Sequence, residues 1–360
     1  MKLMTFEVQT ALGRFCRLGA LVNLSGSYEP PVVVDLNAAH TLLLAEDGEP
    51  QPKRLADVEL PSDMRQFIEM GDRALDAAGL VLECCRRGGF EETEGINGEQ
   101  LVFSLEEITW KPPLANPPMM RDFLAFETHT KAGFDRRKQP MPEAWYQLPV
   151  YYKGNPNRLI GHQEAVVWPK YTAKLDFELE LACIIGKQGQ DVAVNTAASH
   201  IFGYAIMNDF SARDIQAAET TCRLGPAKGK DFATAIGPYI VTADEVGNPR
   251  NLMMTARLNG KEITSGNSGT SHWTFEQMIA YVSNEEILYP GDILCSGTVG
   301  NGCGWELGIW LQPGDQIELE IENIGILQNR VVTHPGFEVP EKFDPETLGL
   351  GLRPQEGVMS

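Results

Sequence analysis

The stretch from Leu175 to Gly186 constrains the fold more than any other part of the chain. It reads Leu-Asp-Phe-Glu-Leu-Glu-Leu-Ala-Cys-Ile-Ile-Gly, so apolar and acidic residues alternate before an uninterrupted apolar run begins. Successive side chains of a β-strand point to opposite faces of its sheet. The stretch therefore predicts a strand with one apolar face and with Asp176, Glu178 and Glu180 on the other.

Two environments are compatible with this acidic face. Three neighbouring carboxylates repel one another, so they need either bulk water or a cation. A half-exposed strand with a solvated acidic side is the simpler interpretation. The apolar run of Cys183 to Ile185 instead indicates a strand buried on both faces, and buried carboxylates call for a metal ion. We therefore expect a core strand whose acidic side chains face a metal.

Composition narrows the class of protein. The chain has 360 residues, 43% of them hydrophobic and 22% charged, as in ordinary folded proteins of one or two domains. Its formal net charge of −19 argues against nucleic acid and anionic membranes as partners. Seven irregularly spaced cysteines suit free thiols in a reducing compartment, and neither a signal peptide nor a transmembrane segment is expected. These features predict a cytoplasmic protein.

A proline-rich segment divides the chain. Residues 111–118 contain four prolines and predict an extended linker. We therefore expect a smaller N-terminal α+β lobe over residues 1–110, of uncertain role, and a larger domain over residues 119–360. The second domain is rich in strand patterns with few helices and no alternation of strand and helix. It is predicted to be mainly β with some α (an α+β class), which excludes Rossmann and TIM-barrel folds.

Local signals predict several individual elements. Apolar spacing predicts helices over residues 35–44 and 63–78. Residues 121–129 also have a spacing that suits a helix, which would stack Asp122 near His129. Asn259-Gly260 predicts a hairpin turn, and Thr274-x-x-Gln277 is a capping box that opens a helix.

Five short motifs in chain order resemble those of the fumarylacetoacetate hydrolase family. The resemblance runs from about Asp122 to Val332, and its most specific part is the acidic strand followed by the third motif. The motifs are Arg121-Asp122-Phe123 with His129, Leu175-Asp-Phe-Glu178-Leu-Glu180, Met207-Asn-Asp209-Phe-Ser-Ala-Arg213-Asp-Ile-Gln216, Lys230-Asp-Phe-Ala-Thr234 and Cys295-Ser-Gly-Thr298. The N-terminal lobe is similar in size to that of the longer family members.

The resemblance implies a mixed β-roll catalytic domain, a homodimer and a divalent metal, Mg²⁺ or Ca²⁺ with Mn²⁺ as a further choice. It implies four metal ligands, Asp122, Glu178, Glu180 and Asp209. Four carboxylates without cysteine or histidine suit a hard cation and disfavour zinc, so the residue types agree with the resemblance.

The resemblance further implies a hydrolase that cleaves a C–C bond in a 1,3-diketo acid, of fumarylacetoacetate or acylpyruvate type, through a metal-bound enolate, as in aromatic catabolism. His129 is then the general base that activates water, and Glu306 is the candidate to orient it. Lys230, Arg213 and Gln216 are expected to stabilise the oxyanion and the departing enolate. Tyr152, Thr234 and Thr298 are expected to bind the substrate.

One departure from the family pattern affects the substrate. The namesake hydrolases have a tyrosine two residues after the first metal-binding Asp, where this chain has Leu124. Relatives with the same metal ligands decarboxylate oxaloacetate or isomerise hydroxyheptadienedioate-type acids, so a decarboxylase or isomerase is the alternative. His129 favours hydrolysis among these.

A non-catalytic metal-binding relative is the alternative from a different class. A protein that only binds metal has no use for His129, Lys230, Arg213 and Gln216, so their presence favours an enzyme.

Overall fold

The computed structural model describes residues 1–11, 13–23, 30–90 and 93–350. Strands take up slightly more of these residues than helices do. The strands are β1 Lys2–Thr10, β2 Gly13–Val22, β3 Val32–Asp35, β4 Val102–Phe103, β5 Thr109–Trp110, β6 Met120–Phe123, β7 Tyr151–Lys153, β8 Leu159–Ile160, β9 Ala165–Val167, β10 Leu175–Asp176, β11 Leu179–Ile185, β12 Ile201–Asn208, β13 Ser211–Ala212, β14 Thr234–Thr242, β15 Met253–Leu258, β16 Lys261–Asn267, β17 Ile293–Cys295, β18 Gln316–Ile321 and β19 Gly325–Val332.

The helices lie mostly in the first third of the chain and at the edges of the sheets. They are α1 Leu36–Glu46, α2 Pro52–Glu59, α3 Met64–Met70, α4 Asp72–Arg86, α5 Glu127–Arg136, α6 Arg213–Thr221, α7 Ala243–Val246, α8 Phe275–Ser283 and α9 Gly304–Leu307. None of the helices in the described ranges is long and apolar enough to cross a membrane. The predicted mixture of mainly strands with some helices is confirmed.

A large mixed sheet forms the centre of the molecule. Its strand order is β4-β3-β2-β1-β14-β12-β11-β17-β6-β7, and β5 and β8 pair with β1 and β14. A second sheet has the order β16-β15-β18-β19-β9, and β10 pairs with β13. Strand β1 is antiparallel to β14, with Lys2 opposite Val241. The large sheet thus crosses the proposed linker at residues 111–118, and the division into two domains stays a prediction.

Strand β11 runs through the core as its sequence predicts. All of its residues are buried, and its alternate side chains enter two different hydrophobic clusters. Leu179, Leu181 and Cys183 pack in one cluster, whereas Ala182 and Ile184 pack in the other. The solvated acidic face is therefore the wrong alternative, because Asp176, Glu178 and Glu180 are all buried.

Several local predictions are confirmed. The helix expected over residues 35–44 is α1, and Asp35 caps it by accepting a hydrogen bond from the Ala38 amide. Asn259-Gly260 connects β15 to β16 with both residues at positive φ, as a type I′ hairpin requires. Both reciprocal hydrogen bonds of the predicted capping box are present at the start of α8.

Two helix predictions are wrong. The helix expected over residues 63–78 is two helices, because Gly71 adopts φ 60° and ψ −135° between α3 and α4. Residues 121–129 do not form one helix either. Asp122 lies on β6, which pairs with β17 and β7, and helix α5 begins only at Glu127. Pairing within the large sheet overrides the helical spacing of this segment.

A half-buried histidine makes the fold sensitive to acid. The Nδ1 atom of His162 accepts a hydrogen bond from the Gln328 amide at 3.2 Å, and the His162 ring packs 4.8 Å from the ring of Trp110. Burial lowers the pKa of His162 to about 4. The unfolded chain therefore binds a proton more readily than the folded chain between about pH 6.5 and pH 4.

We expect acid to lower the free energy of unfolding through this group as pH falls from about 6.5 to about 4. A His162→Asn variant, whose Oδ1 can replace the Nδ1 acceptor, should lose about 3 kcal/mol less than wild type over that window. Urea unfolding at a series of pH values measures this difference, with His334→Asn, at an exposed position, as the control. Identical pH dependence in wild type and His162→Asn would contradict the expectation.

Candidate active site

Three acidic side chains from three strands or strand ends meet in the core. Carboxylate oxygens of Asp122, Glu180 and Asp209 lie within 4.8 Å of one another, and all three residues are buried. Strands β6 and β11 carry the first two, and Asp209 immediately follows β12. Because β11 pairs with β12 and β17, and β17 pairs with β6, the sheet itself brings them together.

Some carboxylate oxygens of this acidic cluster have no hydrogen-bond partner. Asp122 Oδ1 and Asp209 Oδ1 are buried and have no hydrogen-bond partner. Glu180 accepts hydrogen bonds from the Gly297 amide at 3.1 Å and from Thr298 Oγ1 at 3.2 Å. Unpartnered buried carboxylate oxygens are costly, and an all-oxygen donor set is what Mg²⁺, Ca²⁺ and Mn²⁺ prefer. The residues present therefore fit a hard divalent cation.

Burial disfavours negative charge in the cluster. It raises the pKa of Asp122 well above the ordinary value, and the nearby Asp209 carboxylate adds to this. Burial likewise raises the pKa of Glu180 well above its usual range, with the Asp122 carboxylate as the next cause. A bound cation would offset both effects.

Glu178 adjoins the cluster and has a different environment. Arg213 Nη2 donates to its Oε1 at 2.7 Å, and the Lys230 ammonium contacts both Glu178 and Asp209. Burial acts to raise the pKa of Glu178, but Arg213 and Lys230 outweigh it and hold that pKa below the ordinary value. Glu178 is therefore ionised, and its charge is balanced by two cations.

A fifth carboxylate, Asp176, holds Arg213 in place. It is fully buried, and its Oδ2 accepts from Arg213 Nε at 2.7 Å and from the Trp305 amide at 3.0 Å. Gln216 Oε1 accepts from Arg213 Nη1 at 2.9 Å. Sequence reasoning placed Asp176 on the acidic face of the strand but gave it no role, although the alternation itself was the signal.

Removing Arg213 should destabilise the protein strongly. Arg213→Gln leaves the buried carboxylates of Asp176 and Glu178 without their shared cation, so we expect the free energy of unfolding to fall by about 3–5 kcal/mol. The matched control is Arg257→Gln. It breaks the more exposed Arg257–Glu320 pair, which joins Nη1 to Oε2 at 2.6 Å, and should cost at most about 1 kcal/mol. Urea unfolding measures both, and equal losses would contradict this account.

A histidine–glutamate pair lies beside the cluster. His129, on α5, forms a hydrogen bond through Nδ1 with Glu306 Oε2 of α9 at 2.7 Å. Its other ring nitrogen, Nε2, is 3.8 Å from Glu178 Oε1. The Glu306 carboxylate is fixed in turn by the Asn301 amide at 3.2 Å and the Cys303 thiol at 3.3 Å. These contacts fix the imidazole so that its Nε2 edge points to Glu178, next to the acidic cluster.

Among the three residues expected to bind the substrate, two contact the acidic cluster. The Tyr152 hydroxyl donates to Asp209 Oδ2 at 2.6 Å, and Thr298 contacts Glu180, so both touch the acidic cluster. Thr234 is buried at the start of β14, opposite Leu159 of β8. Leu124, which replaces the family tyrosine, is 39% exposed. Cys303 had no sequence signal, because its position depends on contacts with residues distant in the chain.

The chain is similar in sequence to known proteins. The model of the fumarylacetoacetate (FAA) hydrolase C-terminal family matches residues 119–332. Human mitochondrial oxaloacetate tautomerase FAHD2A is 30% identical over 278 residues, which cover 77% of this chain and 82% of that protein. Fumarylacetoacetate hydrolase domain-containing protein 2 of Pongo abelii matches with the same identity and coverage.

Solved structures share the fold. Fumarylacetoacetate hydrolase from Exiguobacterium antarcticum is 24% identical with a TM-score of 0.64, and the match covers 92% of this chain and 100% of that one. Maleylpyruvate hydrolase from Sphingobium sp. SYK-6, solved with manganese(II) and pyruvate, is 22% identical with a TM-score of 0.63 and coverages of 92% and 99%. The matched family includes proteins named as hydrolases and tautomerases. The chain belongs to the fumarylacetoacetate hydrolase family.

Proposed function

We propose that this chain is a divalent-metal-dependent enzyme that acts on an enolisable 2-oxo acid, with His129 as its proton-transferring base. The observation that carries the proposal is the 2.7 Å contact between His129 Nδ1 and Glu306 Oε2. When Nδ1 keeps its proton and donates a hydrogen bond to the Glu306 carboxylate, the lone pair of the neutral imidazole is on Nε2. That nitrogen is 3.8 Å from Oε1 of Glu178, which adjoins the acidic cluster.

Asp122, Glu178, Glu180 and Asp209 would hold the metal, which we propose to be Mg²⁺, Ca²⁺ or Mn²⁺. A divalent cation bound there supplies Lewis-acid stabilisation of negative charge on a substrate oxygen. The unpartnered Asp122 and Asp209 oxygens and the wholly carboxylate donor set support this assignment. The manganese(II) and pyruvate named for the Sphingobium hydrolase agree with it.

The cations of the site would balance charge and bind the substrate. Lys230 and Arg213 contact Glu178 and are both buried or nearly so. We propose that they stabilise the negative charge that develops on the substrate, while Gln216 orients Arg213. Tyr152, Thr234 and Thr298 would bind the substrate carboxylate or an ordered water molecule.

The first candidate reaction is hydrolysis of a C–C bond in a 1,3-diketo acid. His129 Nε2 takes a proton from water while the water oxygen bonds to the acyl carbon. The bond between that carbon and C3 of the 2-oxo acid then breaks, and its electron pair stays with C3 as an enolate. His129 returns the proton to C3, so the products are a carboxylic acid and a 2-oxo acid. One base in one position serves both proton transfers.

The second candidate is tautomerisation of oxaloacetate, which the 30% identical relatives favour by name. Here His129 removes a proton from C3, the charge moves to the C2 oxygen, and a proton is delivered to that oxygen without consumption of water. The same base and the same cations serve this reaction, so the site geometry is common to both candidates.

Nuclear magnetic resonance separates the candidates. Metal-supplemented protein is mixed with an acylpyruvate, with fumarylacetoacetate or with oxaloacetate, beside His129→Ala and Glu178→Ala variants. Equimolar release of two carboxylic acids supports hydrolysis; one of the two is a 2-oxo acid when the substrate is an acylpyruvate and a 3-oxo acid when it is fumarylacetoacetate. Faster interconversion of enol and keto oxaloacetate without net product supports tautomerisation. No turnover of any of the three substrates by metal-loaded wild type would contradict the proposal.

We also propose a compartment and an oligomeric state for the enzyme. All seven cysteines are free, which supports a reducing compartment such as the cytoplasm, although the named human relative is mitochondrial. The family resemblance supports a homodimer. Light scattering coupled to size-exclusion chromatography tests the dimer, and a monomer at micromolar concentration would contradict it.

A further inference from the structure

A second group of metal-binding side chains lies next to the acidic cluster. His129 Nδ1, Cys303 Sγ and Glu306 Oε2 lie within 4.8 Å of one another. The distances are 2.7 Å from Nδ1 to Oε2, 3.3 Å from Sγ to Oε2 and 4.0 Å from Sγ to Nδ1. The reaction proposed above uses His129 and Glu306 but gives the thiol no part beyond its contact with Glu306.

These distances are close to those of a tetrahedral zinc site. With Zn–S near 2.3 Å and Zn–N and Zn–O near 2.0–2.1 Å, tetrahedral ligands lie roughly 3.6 Å apart when one is sulfur and roughly 3.3 Å apart otherwise. The three atoms would need to move by only about half an ångström relative to one another. The three donors leave the fourth position of a tetrahedron for water.

The three side chains are rigidly placed on the fold. Cys303 is fully buried and forms an isolated β-bridge with Glu178, and the neighbouring Gly302 carbonyl accepts from the Leu179 amide at 2.9 Å. The His129 side chain remains 12% exposed, whereas that of Glu306 is 3% exposed. A metal ion can therefore reach a preformed group of donors from the His129 side.

We propose that His129, Cys303 and Glu306 form a second metal site that takes a thiophilic ion, Zn²⁺, and that its occupation inhibits the enzyme. The donor types separate the two sites. The acidic cluster offers only carboxylates and selects hard cations, whereas thiolate with imidazole selects zinc. Binding releases the thiol proton of Cys303 to solvent and places the metal on the sulfur.

Inhibition follows from the position of the proton on His129, and this step rests on the proposed function. An ion bound to Nδ1 replaces the Nδ1 proton, which otherwise forms the hydrogen bond to Glu306. The neutral ring then has its proton on Nε2 and has no lone pair there to accept another. The base is lost while the acidic cluster keeps its own cation.

Cobalt(II) is the direct probe of the site, because a cobalt–thiolate bond absorbs in the near ultraviolet. The test protein is the full chain with the exposed Cys16 and Cys222 replaced by serine, with Mg²⁺ in large excess to fill the acidic cluster. We expect the thiolate band to saturate at one equivalent of Co²⁺ and to disappear when Zn²⁺ is added. Absence of the band would overturn the proposal.

Three further variants locate the site. Cys303→Ser should abolish the band, and Glu306→Gln should weaken Zn²⁺ binding by at least about tenfold, whereas Cys84→Ser, a half-buried cysteine of α4, should change neither. Circular dichroism establishes that each variant is folded. If Cys303→Ser does not fold, Glu306→Gln decides the question. A band that survives Cys303→Ser, or unchanged zinc affinity in Glu306→Gln, would overturn the assignment.

Turnover gives an independent measurement. The Zn²⁺ concentration for half-inhibition at saturating Mg²⁺ should rise at least about tenfold in Cys303→Ser, each protein being compared with its own uninhibited rate. A cobalt band without zinc inhibition would overturn the inhibitory role and count against His129 as the base, while leaving the metal site established. Inhibition that Cys303→Ser leaves unchanged would place the inhibitory ion elsewhere.

Discussion

Replacement of His129 by alanine is expected to lower kcat by about 10²–10⁴-fold, the range for loss of a positioned general base. The proposed metal ligands are four carboxylates, and His129 is not among them; its Nε2 is 3.8 Å from Glu178 Oε1. Metal affinity should therefore stay unchanged. Steady-state kinetics gives the first quantity, and isothermal titration with Mg²⁺ or Mn²⁺ gives the second.

The control for this variant is His334→Ala, which removes an exposed histidine far along the chain and should leave kcat at the wild-type value. A His129→Ala protein that keeps most of its activity would show that another group moves the proton. A variant that loses metal affinity in step with activity would show that His129 supports the metal and not the proton transfer.

Replacement of Asp122 by asparagine is expected to have opposite effects on the metal-free and the metal-loaded protein. Burial and the Asp209 carboxylate raise the pKa of Asp122 well above its ordinary value, so its negative charge opposes folding when no cation is bound. The metal-free variant should therefore be more stable than metal-free wild type at neutral pH. This difference should shrink as pH falls and vanish by about pH 4, because the wild-type carboxyl accepts a proton in the folded state at a higher pH than in the unfolded chain, where its pKa is about 3.9.

Metal reverses the order of stability. At a concentration one hundred times its dissociation constant, a cation that binds only the folded state stabilises it by about 2.7 kcal/mol. Wild type should gain this amount, and Asp122→Asn should gain almost nothing at the same concentration because it lacks one ligand charge. Urea unfolding with chelator and with Mn²⁺ measures both proteins.

Asp76→Asn, which neutralises an exposed carboxylate of α4, is the matched control and should behave as wild type in both conditions. An Asp122→Asn protein that gains as much stability from Mn²⁺ as wild type would contradict the metal assignment. A variant less stable than wild type in chelator would show that the Asp122 carboxylate contributes favourable contacts that outweigh its burial.

The acidic strand was predictable because its determinants are local. Alternation at period two fixes which side chains share a face, and the apolar run at Cys183 fixes burial. The burial holds in β11. The single strand expected over residues 175–186 is interrupted, because Leu175–Asp176 form β10, which pairs with β13, and β11 begins at Leu179. Of the three acidic residues, only Glu180 therefore lies on β11. The helix caps at Asp35 and Thr274 were predictable for the same reason, since a cap depends on residues within one turn.

The arrangement of the site was less accessible from the residues alone. Asp122 was expected on a helix, but it lies on β6 because that segment pairs with β17, more than one hundred and fifty residues later in the chain. The His129–Glu306 contact joins residues 177 positions apart, and only the family resemblance suggested it. Residue spacing cannot show which distant segments meet.

The continuity of the large sheet was also beyond local reasoning. The pairing of β1 with β14 places Leu3 opposite Ile240, and nothing in either strand specifies the other as its partner. The proline-rich segment at residues 111–118 predicts an extended connection, but composition does not reveal whether the sheets on its two sides are joined.

Hydrogen exchange at C3 of pyruvate tests the central claim most directly, because both candidate reactions require His129 to move a proton at that carbon. Pyruvate in D₂O is incubated with Mg²⁺ and wild-type or His129→Ala protein, and loss of its methyl signal is followed by proton magnetic resonance beside a protein-free Mg²⁺ blank. We expect exchange above the blank with wild type and none with His129→Ala. Equal exchange by both proteins, or none by wild type with metal and pyruvate bound, would contradict it.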